Sequence, residues 1–125
     1  MKYVNEEWTI EHLVKLYKEK KINLSPPYQR NDVWSTRSQK RLIETILDGW
    51  PIPSFFLLTT KEGFEMVDGQ QRTRAILEYY RDFKDTPPPK QFLNYRLSIT
   101  ILSELDPQKE VIEKYYALVN SAGLH

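Results

Sequence analysis

The chain has 125 residues, of which 40% are hydrophobic and 28% are charged. These values are typical of an ordinary globular domain, and a chain of this length buries enough surface for one core, so we expect a single domain over residues 1–125. The sequence contains no cysteine, which excludes disulfides, thiolate metal sites and cysteine nucleophiles. A formal charge of +1 with only two histidines also excludes a strongly basic nucleic-acid binder and a histidine-rich metal cluster.

The sequence shows neither a membrane-spanning segment nor an export signal. Its longest apolar run, residues 55–58, is far short of the roughly 20 residues that cross a bilayer. The first residues carry Lys2 without an apolar stretch behind it. We therefore expect a cytoplasmic protein without a membrane partner.

Four elements are predicted in the first half of the chain. Ile10, Leu13, Val14 and Tyr17 have helical spacing, so a helix is expected over residues 9–20 with Thr9 as its N-cap. Residues 22–24 are a short strand candidate, and the prolines behind them favour an extended segment and a loop over residues 28–34. A second helix is expected between a cap at residue 35 and a C-terminal glycine at residue 49.

The second half alternates between strand and helix patterns. Residues 54–59 and 64–67 are predicted strands joined by a turn at residues 61–63. Helical spacing returns from Arg72, residues 84–95 are expected to be irregular, and residues 96–102 form another strand candidate. Asp106 and Pro107 predict the start of a last helix that ends near residues 120–123. Five apolar positions of this helix are expected to face inward: Val111, Ile112, Tyr115, Leu118 and Val119.

The most informative segment is the polar loop between the second hairpin strand and the helix behind it. It reads Asp68-Gly69-Gln70-Gln71-Arg72-Thr73-Arg74. Backbone N–H groups converge at such a helix start and favour an anion, and arginine forks suit phosphate oxygens. Asp68 could hold a magnesium ion, which takes one or two carboxylates together with phosphate oxygens and water.

The same loop also has a purely structural interpretation. In that interpretation Asp68 caps the helix, and Arg72 and Arg74 are solvated or paired with Glu78 and Asp82. Spacing alone does not separate this interpretation from the functional one.

A second candidate constellation precedes the second helix. Tyr28, Gln29 and Arg30 combine an aromatic ring, an amide and a cation, which can stack on a base and grip a phosphate. Trp34 is expected to be a core residue beneath this loop. Arg37, Lys40 and Arg41 extend the positive charge along the helix, where a solvated face is an equal alternative.

Several well-known catalytic motifs are absent from the sequence. There is no GxxxxGK[ST] loop, no recognisable serine–histidine pair and no carboxylate–lysine set of a metal-dependent nuclease. The chain by itself is therefore not an obvious nuclease.

Four segments together resemble a known family. They are Pro26 to Arg30 with Trp34, residues 42–53, the Asp68-Gly69-Gln70-Gln71-Arg72 segment with its flanks, and residues 116–124. They look like the N-terminal domain of GmrSD-type modification-dependent restriction endonucleases, in the ParB/sulfiredoxin-like superfamily. The similarity spans about residues 22–124, and the DGQQR segment is its most specific part.

The resemblance implies a mixed α+β fold with a small mixed sheet flanked by about four helices. It implies nucleotide binding and hydrolysis with a divalent metal, Mg²⁺, in proteins that defend bacteria against phage DNA. Family members often continue into an HNH nuclease domain, so the chain is expected to be a minimal version or a fragment of a longer multidomain protein. Sulfiredoxin chemistry is excluded because it needs a cysteine.

The residues that the family motifs single out are expected to form the site. Asp68, Gln70, Gln71 and Arg72 are the catalytic candidates. The nucleotide-binding candidates are Tyr28, Gln29, Arg30, Gly69, Arg72, Thr73, Arg74 and Asn120.

Three functional hypotheses follow. The first is a nucleoside-triphosphate-binding module that hydrolyses its ligand. The second is a DNA sensor that uses Arg30, Arg37, Lys40 and Arg41, which at this net charge needs a partner domain or a homodimer. The third is a non-enzymatic interaction subunit, for example of an HNH nuclease, in which the loop is a structural cap.

Overall fold

The computed structural model describes residues 2–24, 34–103 and 113–118, which form one mixed sheet and five helices. The strands are β1 (Tyr3–Thr9), β2 (Ile22–Asn23), β3 (Phe55–Thr59), β4 (Phe64–Asp68) and β5 (Arg96–Leu102). The helices are α1 (Ile10–Lys18), α2 (Thr36–Leu47), α3 (Gln70–Arg81), α4 (Lys90–Leu93) and α5 (residues 113–118). The predicted mixed α/β class is confirmed.

The strand order in the sheet is β1-β5-β3-β4-β2. β1 pairs antiparallel with β5 and β3 pairs antiparallel with β4. β5 runs parallel to β3, and β2 runs parallel to β4. Because β3 and β4 are antiparallel, the start of β3 lies beside the end of β4, with Phe56 opposite Asp68.

The predicted helix caps are present. The Thr9 hydroxyl accepts a hydrogen bond from the His12 N–H at 3.1 Å, and the Ser35 hydroxyl accepts one from the Ser38 N–H at 3.1 Å. Gly49 has a φ of 80°. Its N–H donates to the Ile46 carbonyl and the Trp50 N–H donates to the Thr45 carbonyl, which is the Schellman ending of α2.

Two apolar layers lie on the two faces of the sheet. Phe55, Leu57 and Ile99 are fully buried in the larger layer, to which α1, α2, α3 and α4 contribute. The smaller layer on β3, β4 and β5 contains Leu58, Val67, Leu102 and Tyr116, and α5 brings Tyr116 to it. β3 is therefore apolar at successive positions because it lies between the two layers.

The structure differs from the sequence-based expectation in several elements. β1 has no counterpart among the predicted elements, because residues 3–7 are exposed and lack hydrophobic alternation. A one-turn helix, α4, lies within the segment expected to be irregular. In α5, Tyr116 is buried, whereas the predicted inward residue Leu118 is 61% exposed. Residues 28–33 of the loop predicted over residues 28–34, and the predicted cap at Asp106, lie outside the described residues.

None of the helices within the described ranges is long and apolar enough to cross a membrane.

Gly63 in the β3–β4 turn gives a first prediction. Its φ is 152°, and a Cβ there would collide with the Lys21 carbonyl, which accepts the Phe64 N–H at 2.8 Å and so links β2 to β4. A Cβ at Gly49 would meet only open space, although φ is also positive. We expect Gly49→Ala to cost about 1–2 kcal/mol of the free energy of unfolding from backbone strain alone, and Gly63→Ala to cost more. Urea denaturation of both variants measures the difference, and equal costs would contradict the steric assignment.

Candidate functional site

The DGQQR loop is the junction between the end of β4 and the start of α3. Asp68 is the last residue of β4, and Gly69 turns the chain with a φ of 113°. A Cβ on Gly69 would lie 2.5 Å from the Phe55 ring, so both the backbone conformation and the close packing require glycine. Gly69 is the N-cap of α3, so the capping position has no side chain that could accept a hydrogen bond from the first N–H groups of the helix.

A buried ion pair lies at the centre of this loop. Arg72 Nη2 lies 3.5 Å from Asp68 Oδ2, and both side chains are only 5% exposed. Arg72 Nη2 also donates to the Ser54 carbonyl at 3.0 Å, and its guanidinium carbon lies 4.9 Å from the centre of the Phe55 ring. Arg72 therefore ties the first turn of α3 to the end of β4 and to the beginning of β3.

This pairing corrects the structural interpretation drawn from the sequence. Asp68 does not cap α3, because Gly69 is the N-cap and the Asp68 carboxylate faces Arg72. The partner of Arg72 is Asp68, one turn earlier, rather than Glu78 or Asp82. α3 also begins two residues before the predicted start.

The guanidinium of Arg72 is incompletely satisfied. Burial lowers the pKa of Arg72, and the charge and hydrogen bond of Asp68 act in the opposite direction. Its Nε atom is buried and has no hydrogen-bond partner among the residues that the structure describes. Native proteins leave few buried donors unpaired, so this one marks a position where an acceptor is expected.

Gln70 and Thr73 are directed into the domain. They are 2% and 0% exposed, respectively. The Gln70 amide donates to the Met66 carbonyl, and the Thr73 hydroxyl donates to the Met66 Sδ at 3.2 Å. Both side chains thus fasten the start of α3 to β4.

Gln71 and Arg74 are the more accessible polar side chains of the segment, since both are only partly buried. The Gln71 Oε1 accepts a hydrogen bond from the Trp34 N–H at 3.3 Å. This contact joins the start of α3 to the chain just before α2. Trp34 itself is partly buried and packs against the core, as expected.

The remaining predicted site residues lie in two places. Arg37, Lys40 and Arg41 are exposed on α2, and their i, i+3, i+4 spacing places them on one side of that helix. Tyr28, Gln29, Arg30 and Asn120 lie outside the described residues, so their expected roles stay predictions.

Tyr115 on α5 is a neighbour of the loop that sequence reasoning placed only in the core. It packs against the smaller apolar layer, which includes Val67, the residue before Asp68. Burial and the negative charge of Asp68 raise the pKa of Tyr115 to about 12. The helical spacing predicted its inward side, but nothing in the sequence indicated its proximity to Asp68.

The loop supplies one carboxylate for a metal ion. Within the described part of the chain, no three histidine or acidic side chains are grouped so that they could hold a metal. A single aspartate is sufficient when phosphate oxygens and water complete the coordination of Mg²⁺. Asp68 therefore fits a magnesium ion that arrives with a phosphate ligand better than a resident metal centre.

The Asp68–Arg72 pair gives a second prediction. Asp68→Ala would leave a buried guanidinium without its acid, so we expect the free energy of unfolding to fall by about 3–5 kcal/mol. Asp82→Ala, an exposed position at the other end of α3, should change it by less than about 0.5 kcal/mol. Asp68→Ala with Arg72→Met should recover part of the loss because the uncompensated charge is gone. Thermal and urea unfolding measure all three, and equal costs for Asp68→Ala and Asp82→Ala would contradict the assignment.

Comparison with known proteins agrees with the resemblance seen in the sequence. No curated protein matches the chain. A family model described as the N-terminal domain of the GmrSD restriction endonuclease matches residues 10–124, which includes the whole DGQQR loop and every described element from α1 onward. The chain therefore belongs to the family of GmrSD restriction endonuclease N-terminal domains and is part of a restriction system.

Proposed function

We propose that this domain binds and hydrolyses a nucleoside triphosphate at the start of α3, as part of a system that defends bacteria against phage DNA. The observation that carries the proposal is the buried Nε of Arg72, which has no hydrogen-bond partner in the described part of the chain. A buried guanidinium beside a helix N-terminus, with an N–H group available to a ligand, is suited to bind a phosphate oxygen. The family supports the biological setting, since it is one of restriction endonucleases.

The charge balance of the loop supports an anionic ligand. Asp68 neutralises Arg72 within the pair, and Arg74, two residues later, is a second, partly buried cation. The N–H groups of the first turn of α3 add the positive end of the helix dipole, and the N-cap residue Gly69 has no side chain to accept hydrogen bonds from them. A phosphate group at this position would gain hydrogen bonds without displacing the Asp68–Arg72 pair.

The residues of the loop have different roles in the proposed nucleotide site. Arg72 and Arg74 hold phosphate oxygens, Gly69 allows close approach to the backbone, and Gln71 orients the ligand at the accessible side. Gln70 and Thr73 keep the loop in its conformation through Met66. We assign the rest of the nucleotide pocket to Tyr28, Gln29 and Arg30, which precede the loop in sequence, and to Asn120, which lies near residue 125.

Hydrolysis requires a water molecule positioned for attack on the terminal phosphorus. Asp68 is the carboxylate of the loop, and it either orients this water or binds the magnesium ion that accompanies the triphosphate. Such an ion supplies neutralisation of the phosphate charge when bound. The arginines then stabilise charge at the phosphate oxygens, which is the main protein contribution to phosphoryl transfer.

The third prediction tests nucleotide binding. We expect ATP, GTP, CTP or UTP with Mg²⁺ to raise the thermal midpoint, since a ligand at a hundred times its Kd stabilises a protein by about 2.7 kcal/mol. Arg72→Lys keeps a cation for Asp68 but loses the guanidinium fork, so we expect at least a tenfold rise in the nucleotide Kd, which is about 1.4 kcal/mol. Isothermal titration calorimetry measures this change.

Arg81→Ala is the matched control, because it removes an exposed cation from the opposite end of the same helix. It should leave the nucleotide Kd unchanged. Retained affinity in a folded Arg72→Lys variant would overturn the phosphate assignment. Nucleotide binding without release of inorganic phosphate would support the binding part of the proposal and overturn the hydrolysis part.

A second candidate function is contact with the DNA backbone through α2. The observation in its favour is the exposed trio Arg37, Lys40 and Arg41 on one side of the helix. In this alternative Arg30 extends the surface, and an HNH nuclease domain or a partner subunit supplies the cutting. The nearly neutral total charge predicts weak binding by the isolated domain.

The fourth prediction separates this function from the first. Replacing Arg37, Lys40 and Arg41 with alanine should weaken duplex DNA binding at low salt and reduce the slope of log K against log salt by about 0.9 for each phosphate that is no longer neutralised. Nucleotide affinity should not change, because the trio lies on α2 and the loop lies at α3. Fluorescence anisotropy measures DNA affinity. Undetectable DNA binding by the unmodified domain at low salt would reject this alternative. If neither a nucleotide nor DNA binds, the hypothesis of a non-enzymatic interaction subunit is favoured.

A further inference from the structure

The outer edge of β1 is the longest regular strand edge that has no partner strand among the described residues. β1 pairs with β5 along all seven residues, Tyr3–Thr9, without a register shift. It is the first strand in the sheet order, and no other strand in the described part of the chain pairs with its outer side. A long, regular edge of this kind is a template for another strand.

The hydrogen bonds at the two ends of β1 determine which backbone groups face outward. The Lys2 carbonyl accepts from the Ser103 N–H at 3.1 Å, and the Ile10 N–H donates to the Tyr95 carbonyl at 3.0 Å. Residues alternate between the two sides of an antiparallel strand, so the even-numbered residues bond to β5. The N–H and C=O groups of Tyr3, Asn5 and Glu7 therefore point away from the sheet.

The side chains of β1 do not block this edge. Residues 3–7 are all exposed, and Tyr3 and Val4 are 62% and 45% exposed, which is unusual for apolar residues on a strand. Natural edges are commonly protected by a proline or a bulge, and the seven residues of β1 contain neither. Their protection is limited to charge, in the form of Lys2 before the strand and Glu6 and Glu7 within it.

We propose that β1 pairs antiparallel with β1 of a second copy of this chain, with Val4 at the centre. In this register Tyr3 exchanges backbone hydrogen bonds with Asn5 of the partner subunit, and Val4 packs against Val4 of the partner subunit. Lys2 lies opposite Glu6 of the partner subunit, and Glu6 lies opposite Lys2 of the partner subunit. Each half of the pair thus satisfies the edge of the other, as a two-fold interface requires.

The charges of β1 select this arrangement over the alternatives. A parallel pair would place Glu6 and Glu7 beside the same residues of the second copy, which repel. An antiparallel pair centred on Asn5 would face Glu6 with an apolar valine and leave Lys2 without an acid. The register centred on Val4 has two opposite-charge pairs and keeps residues of the same face together.

One strand pair buries less surface than an obligate interface, so we expect a dimer that dissociates on dilution. Sedimentation velocity over a dilution series of the domain measures its dissociation constant. Asn5→Pro removes an outward N–H without removing a bond to β5, and we expect it to raise this constant at least tenfold, or about 1.4 kcal/mol. Asn5→Ala is the control, because both changes lose the bond that the Asn5 side chain accepts from Thr100.

Charge reversal tests the register. Lys2→Glu should weaken the dimer, and Lys2→Glu combined with Glu6→Lys should restore it. Thermal unfolding checks that each variant is folded, since Glu6 also accepts a hydrogen bond from Trp8 Nε1. A monomer at every concentration, or a dimer that tolerates Asn5→Pro, would overturn the proposal. Failure of the double reversal to restore the dimer in a folded variant would overturn the register centred on Val4.

Discussion

The buried guanidinium of Arg72 is the constraint on which the rest of the site depends. A cation excluded from water needs an acid, acceptors and a compatible surface close by. Asp68, the Ser54 carbonyl and the Phe55 ring supply the acid, one acceptor and the surface, and Nε has no hydrogen-bond partner among the described residues. They come from the end of β4 and the beginning of β3, so the burial of one side chain fixes two strands and a helix relative to one another.

The glycine of the loop follows from the same constraint. Phe55 must lie against the guanidinium, and its ring then leaves no space for a Cβ at residue 69. Gly69 also permits the left-handed turn that brings α3 back over the sheet, so Asp68 and Arg72 come within 3.5 Å. Because α3 has glycine as its N-cap, the capping position offers no side chain to accept hydrogen bonds from the first N–H groups of the helix. The geometry that buries the arginine thus also places a residue without a capping side chain at the start of α3.

The sequence predicts the parts of the fold that have a local signal. It predicts β5 with its observed bounds and predicts β3 and β4 within one residue. It also predicts the hydroxyl caps of Thr9 and Ser35. Both kinds of prediction succeed because alternation and capping are short-range effects. β1 has no such signal, because residues 3–7 are exposed on both faces of the strand and pairing with β5 holds them in the sheet. The predicted start of α3 is too late because a glycine cap has no side chain to recognise.

The site is predictable as a segment but not as a geometry. The motif identifies which residues lie in the loop, whereas their burial depends on contacts between residues far apart in sequence, such as Arg72 with Ser54. Charged residues are rarely buried, so an arginine one turn into a helix is expected to be solvated unless the fold supplies an acid. The proximity of Tyr115 to Asp68 is likewise a tertiary contact that the sequence does not reveal. It follows from the packing of α5 against the layer that contains Val67.

The strand order makes the loop and the edge of β1 physically independent. β5 and β3 separate β1 from β4, so a pair of chains joined at β1 would place seven strand spacings between the two β4 strands. At about 4.8 Å for each spacing, this separation is roughly 34 Å before sheet twist is considered. Neither loop can then contribute a residue to the other, and no ligand the size of a nucleotide can bridge them. Nucleotide affinity should accordingly be the same in a monomer and in a dimer joined at β1, and a dependence on protein concentration would mean that the chains associate through a surface nearer to α3.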